Sequence, residues 1–154
     1  MSLPRETVSL RRVLPAEVTA LARLVRAYHA SDGIDSELHV LPEVLLPLLQ
    51  DEGRGCVWFV EAGGNVAGYL AICFGYSIEF GGRDAFVDEL YLEDVYRGRG
   101  IGSRALDLGI AEARALGAKA LHLEVDTGNE PAQKLYRSRG FVPRERYRLM
   151  SQVL

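Results

Sequence analysis

The stretch Asp84–Leu116, DAFVDELYLEDVYRGRGIGSRALDLGIAEARAL, decides how the rest of the chain is read. Phe86 to Leu92 is dense in Phe, Val, Leu and Tyr and predicts a strand, with two carboxylates, Asp88 and Glu89, inside it. Tyr96 to Gly102 is an Arg/Gly turn. Ser103 to Leu116 predicts a helix, with Leu106, Ile110 and Ala113 on an apolar face and Arg104, Asp107 and Arg114 on a polar one. A strand that feeds a glycine-rich turn and then a helix makes an anion site. The first helical turn has unpartnered N–H groups and the positive end of the dipole. Gly98, Gly100 and Gly102 carry no Cβ, so a bulky phosphate can approach the backbone. Arg97 and Arg99 add charge suited to phosphate oxygens.

The spacing argues against two common phosphate binders. A Walker A loop needs Gly-Lys-Ser/Thr, and that tripeptide is absent. A dinucleotide fingerprint needs a third glycine where Ser103 stands, and the remaining chain is too short for a second nucleotide half. The turn resembles instead the pyrophosphate loop of the GNAT N-acetyltransferase superfamily, Arg/Gln-x-x-Gly-x-Gly/Ala, matched by Arg97, Gly100 and Gly102. The resemblance implies acetyl-coenzyme A as co-substrate. Its pyrophosphate would lie on the backbone amides of Gly98, Arg99, Gly100, Ile101, Gly102 and Ser103. The backbone of Leu90, Tyr91 and Leu92 would hold the pantetheine amides.

Composition is that of a soluble globular protein: 154 residues, 48% hydrophobic and 25% charged, enough for one domain over 1–154 with its own core. No apolar run approaches a membrane span, and the N-terminal MSLPRETVSL lacks a signal-peptide core, so a cytoplasmic protein is expected. Cys56 and Cys73 fall in predicted strands and read as buried free thiols. His29, His39 and His122 have no ligand spacing, and no metal is expected. The net charge of −3 is unevenly spread. Residues 1–96 hold 7 Lys/Arg against 15 Asp/Glu, and residues 97–154 hold 11 against 6. That split suits an anionic cofactor and a cationic acceptor better than nucleic acid.

In chain order, Val8 to Val13 predicts a strand. Ala16 to His29 predicts a helix with Val18, Leu21, Val25 and Tyr28 on one face, and Pro42 to Gln50 a second helix. Cys56 to Glu61 and Val66 to Tyr76 predict strands joined at Gly63-Gly64-Asn65, with Gly68 and Gly75 as candidate bulges. After the long helix, Ala120 to Val125 predicts a strand parallel to the central one. Asn129 to Arg139 predicts a helix, and Phe141 to Leu154 a terminal hairpin. The resulting class is α/β, a mixed, mostly antiparallel sheet flanked by helices in the order β-α-α-β-β-β-α-β-α-β-β. That order is also the GNAT order, and the segment from Asn129 to Phe141, NEPAQKLYRSRGF, resembles the second cofactor-side helix of that family.

Acetyl transfer to an amine needs a base and a way to stabilise the leaving thiolate. A carboxylate inside an apolar strand is unusual unless paired or functional. Asp88 and Glu89 lie eight and seven residues before Tyr96 of the Tyr-Arg-Gly turn, as an acidic pair does in diamine acetyltransferases of the family. By that resemblance Asp88 is the favoured base, acting through water, with Glu89 the second candidate. Strand alternation expects only one of the two to reach a given site. The resemblance also implies Tyr136 facing the coenzyme sulfur, Asn129 on the pantetheine arm, direct attack in a ternary complex, and a homodimer. Asp32 and Asp35, near Glu37 between the first two helices, are candidate contacts for a cationic acceptor. That acceptor would be a small molecule or a protein lysine. The rival class is a non-catalytic coenzyme A-binding regulator, which needs the loop but neither Asp88 nor Tyr136.

Overall fold

The computed structural model describes residues 6–35 and 42–154. It contains two compact units, one up to Leu123 and one over Glu124–Leu154. In the first, a five-stranded sheet runs β1 (Val8–Arg12), β2 (Gly55–Ala62), β3 (Asn65–Ser77), β4 (Gly82–Leu92), β5 (Ala120–His122), in that spatial order. The first three pairings are antiparallel; β5 runs parallel to β4, reached through the long helix α3 (Ile101–Ala115) as expected.

Two apolar clusters sandwich the sheet. On one face Trp58, Val60, Leu70, Ile72 and Ala85 pack with Ile101, Ala105 and Ala113 of α3. On the other face Val57, Phe59, Tyr69, Ala71 and Tyr91 pack with Leu21, Leu24 and Val25 of α1 (Val18–Ser31), and with Leu45, Leu48 and Leu49 of α2 (Pro42–Gln50). A short 3-10 turn at Pro15–Glu17 precedes α1, so this helix starts and ends two residues later than its pattern suggests. Its buried face is Leu21, Leu24, Val25 and His29, which brings a histidine to the core side in place of Val18.

Both candidate bulge sites were in β3, and only Gly68 lies at one. Val60 pairs with Gly68 and Glu61 with Val66, leaving Ala67 extra, whereas Gly75 pairs regularly with Asp84. A Cβ on Gly68 would lie 1.8 Å from the Tyr91 carbonyl oxygen, so the approach of β4 demands glycine there. The second bulge is in β4. Ala71 pairs with Glu89 and Ile72 with Val87, leaving Asp88 as the extra residue.

In the second unit α4 (Glu130–Ser138) is N-capped by Asn129, whose Oδ1 accepts from the Ala132 N–H at 3.1 Å. The terminal hairpin is not formed: residues 141–154 contain no strand. Val142, Leu149, Met150 and Val153 are exposed there, and a two-stranded hairpin with no apolar face to bury is marginal in water. No helix among the described residues is long and apolar enough to cross a membrane.

Candidate active site

The β4 bulge sets the geometry. Ala85 and Val87 lie on the α3 side of the sheet, and uninterrupted alternation would send Glu89 there as well. The extra residue resets the phase. Leu90 and Leu92 now share the α3 side with Val87, and Glu89 joins Tyr69 and Tyr91 on the α1 side. There its carboxylate accepts from the Tyr69 hydroxyl at 2.5 Å and meets His29 Nε2 at 2.9 Å and 3.1 Å. Burial, reinforced by the Glu89 charge beside it, pushes the Tyr69 phenol well above its usual range, so it stays a donor.

Asp88, the favoured base by resemblance, is exposed at the bulge, whereas the Glu89 side chain is only 19% exposed. The nearby Cys73 thiol is pushed up to about 11 by burial, with the Asp88 and Glu89 carboxylates adding to the effect.

An open cleft of about 410 Å³ begins at the next residue of β4 after Glu89 and is lined by Tyr28, Ser31 and Asp32 of the α1 end, Leu90, Tyr91 and Leu92 of β4, and Arg97 and Gly102. Asp32 and the glycine-rich turn, far apart in sequence, therefore face one space. Asp35 is exposed outside that lining, and Glu37 lies outside the described residues.

The α3 end of the cleft is built for an anion. Gly100 is the N-cap at φ +73°, no side chain caps the helix, and its first turn holds no acidic residue. Gly98 has φ +71°, and nothing lies within 4 Å of where a Cβ would stand on Gly98 or Gly100. The first-turn N–H groups of Ile101, Gly102 and Ser103 thus have room for a phosphate. Arg97 donates from Nε to the Leu92 carbonyl at 2.9 Å, stacks on Tyr91 and lines the cleft. Arg97 also pairs with Asp94 at 3.1 Å, Arg99 is paired with Glu6, and Arg104 donates to the Glu6 carbonyl. Beyond Phe86, β4 has no partner on its β5 side among the described residues, so Val87 to Leu92 offer a free backbone edge. These features fit an extended amide-bearing ligand that ends in a pyrophosphate.

The model of the acetyltransferase (GNAT) family matches residues 20–141. The chain belongs to the acetyltransferase (GNAT) family. This GNAT chain is 40% identical over 62 residues to the mycothiol acetyltransferase of Corynebacterium glutamicum, a match covering 38% of the chain and 21% of that protein. It is 35% identical over 75 residues to the thialysine N-epsilon-acetyltransferase of Bos taurus, covering 49% of the chain and 44% of that protein. The matched stretches thus span less than half the length of these curated relatives. An integron cassette protein from the mobile metagenome of Cole Harbour Salt Marsh shares the fold at a TM-score of 0.79 with 26% identity, over 94% of the chain and 90% of its own.

The unit up to Leu123 holds Glu89 and the cleft on which Asp32, Arg97 and Gly102 of α3 converge. Tyr136 and Asn129 belong to the other unit. Burial pushes the Tyr136 phenol up, and its ring meets Phe141 edge-on at 5.9 Å. Sequence reasoning missed His29 and Tyr69. His29 had a usable signal, since it falls four residues after Val25 and eight after Leu21 on the buried stripe of α1.

Proposed function

We propose that this GNAT protein transfers an acetyl group from acetyl-coenzyme A to a primary amine by direct attack in a ternary complex, with Glu89 as the base. The observation that carries this reading is the Glu89 carboxylate, held by His29 and Tyr69; the chain neighbours Tyr28, beside His29, and Leu90, beside Glu89, line the cleft that reaches Gly102 in the uncapped first turn of α3.

The chemistry needs such a group. A lysine-like amine has a pKa of about 10.4, so at pH 7 about one in 2,500 is neutral, a penalty of about 4.6 kcal/mol. A positioned carboxylate that takes the ammonium proton recovers part of it. Coenzyme A binding is assigned to Arg97, to the amides from Gly98 to Ser103 and to the Leu90–Leu92 edge. Arg99 serves that loop by holding it to Glu6. Asp88, one residue outside the held carboxylate, supplies negative charge near the acceptor. Tyr136 is assigned to donate a hydrogen bond to the departing thiolate. Because its phenol is pushed above the usual 10, full proton transfer to a thiolate is uphill, and solvent completes it. Asn129 is assigned to the pantetheine arm alongside its capping role.

The acceptor is proposed to be cationic, a small molecule or a protein lysine, because Asp32 lines the cleft and β4, which lines it through Leu90 to Leu92, carries Asp88 and Glu89. We also place the protein in the cytoplasm as a homodimer. Thiol release from acetyl-coenzyme A against a panel of amines tests the activity. Coenzyme binding without turnover on any amine would support the regulator instead, and a trapped acetyl-enzyme would refute direct attack.

A further inference from the structure

His29 is buried to 6% exposure at the end of α1, and its ring is spent on one partner. Nε2 bridges both Glu89 oxygens, at 2.9 Å and 3.1 Å, while Nδ1 is buried with no hydrogen-bond partner among the described residues. The tautomer that suits this geometry carries its proton on Nε2 and leaves only a lone pair unmet at Nδ1. From the sheet side the Tyr69 hydroxyl reaches Glu89 Oε2. We propose that His29, with Tyr69, clamps Glu89 as an oriented, unprotonated carboxylate, and so is a positioning residue of the transfer reaction. This inference rests on the reading of Glu89 as the base.

The surroundings show why a clamp is needed. Tyr28 stacks near His29 at 5.6 Å, and Tyr91 lies 6.1 Å from Tyr69. The sheet adds Asp88 and the Cys73 thiol, and α2 presents Leu45, Leu48 and Leu49 to the same cluster. None of these groups is a cation. Two donors from opposite elements, His29 on α1 and Tyr69 on β3, hold the two carboxylate oxygens. They also restrain a side chain with three rotatable bonds. A base must be both free of its proton and correctly aimed when the amine arrives. His29 has no onward partner at Nδ1 among the described residues, so the exposed part of the carboxylate is the route for the proton that Glu89 accepts.

His29→Ala is expected to lower kcat about ten- to a hundredfold, the worth of a hydrogen bond to a charged group, with KM for acetyl-coenzyme A unchanged. The acid limb of kcat/KM should move to higher pH, because the ionised carboxylate has lost a donor. His29→Gln, whose amide N–H reaches the Nε2 position, should restore most of kcat and the profile. Tyr69→Phe should move the limb in the same direction. A His29→Ala enzyme with wild-type kcat and profile overturns the proposal, as does a folded His29→Gln enzyme as impaired as His29→Ala. Proton NMR on the wild-type chain provides a readout independent of activity and of the folding of the His29 variants. Downfield, slowly exchanging signals from the Tyr69 hydroxyl and His29 Nε2–H, both lost in Glu89→Ala, are expected. Their absence overturns the clamp even if Glu89→Gln is inactive. Their presence in a protein that turns over no amine overturns the base reading and the positioning role with it, and leaves only the hydrogen-bond geometry.

Discussion

Glu89→Gln and Asp88→Asn should differ in activity by at least about tenfold, since one removes a positioned base and the other an exposed carboxylate. In the wild type Glu89 presents two acceptor oxygens to two donors, His29 Nε2–H and Tyr69 O–H. A glutamine amide keeps one acceptor and turns an NH2 toward the other donor. The loss of one hydrogen bond to a charged group costs about 1.5–3 kcal/mol. At about 2–4 °C per kcal/mol for a chain of this size, Tm should fall by about 3–12 °C. Loss of the base itself should lower kcat by about 10²–10⁴, with KM for acetyl-coenzyme A unchanged. Asp88→Asn should stay within about threefold in kcat, because its carboxylate is exposed and its reach to the acceptor is screened by solvent. The assay is thiol release at saturating acetyl-coenzyme A, scanned in pH at a temperature below the lower Tm. Without its base, the Glu89→Gln enzyme should gain about tenfold per pH unit as the acceptor sheds its own proton below about pH 10. Glu89→Gln within threefold of wild type, or an Asp88→Asn enzyme that is the more damaged of the two, would refute the assignment of the base.

Three further outcomes follow from the same geometry. Gly68→Ala drives a methyl to 1.8 Å from the Tyr91 carbonyl oxygen, so thermal unfolding should show a loss of about 3 kcal/mol or more, and an unchanged Tm would contradict that close approach. Asp32→Asn should raise KM for a cationic acceptor up to about fivefold, with the effect fading at high salt and KM for acetyl-coenzyme A unmoved; a rise that is insensitive to salt points away from electrostatics. Cys73, with its thiol pushed up to about 11, should react with iodoacetamide at pH 7.5 about 300-fold more slowly than an ordinary thiol of pKa about 8.5, and should gain about tenfold per pH unit until near pH 11. Rapid labelling of the native protein at neutral pH would show that the thiol is not buried as described.

Much of this protein is local in origin and was legible without coordinates. The run from Tyr96 to Gly102 announces a turn with open backbone because its glycines recur where side chains would obstruct. The apolar spacing of α3 follows from a period the segment carries within itself, and the apolar runs of β2 and β3 mark strands by composition. The parallel return to β5 follows from a strand, a helix and a strand in succession. What the tertiary structure alone decided is the side of the sheet that Glu89 faces. Read as a regular strand, β4 places Glu89 with Ala85 and Val87 toward α3. Pairing with β3 leaves Asp88 without an opposite residue, and the bulge turns Glu89 toward α1. A bulge is a mismatch in residue count between two strands, so neither strand records it alone. The same holds for His29, which reads as one more residue on a helical stripe until α1 is laid against the sheet. Its meaning comes from Glu89, 60 residues away in sequence and 2.9 Å away in space.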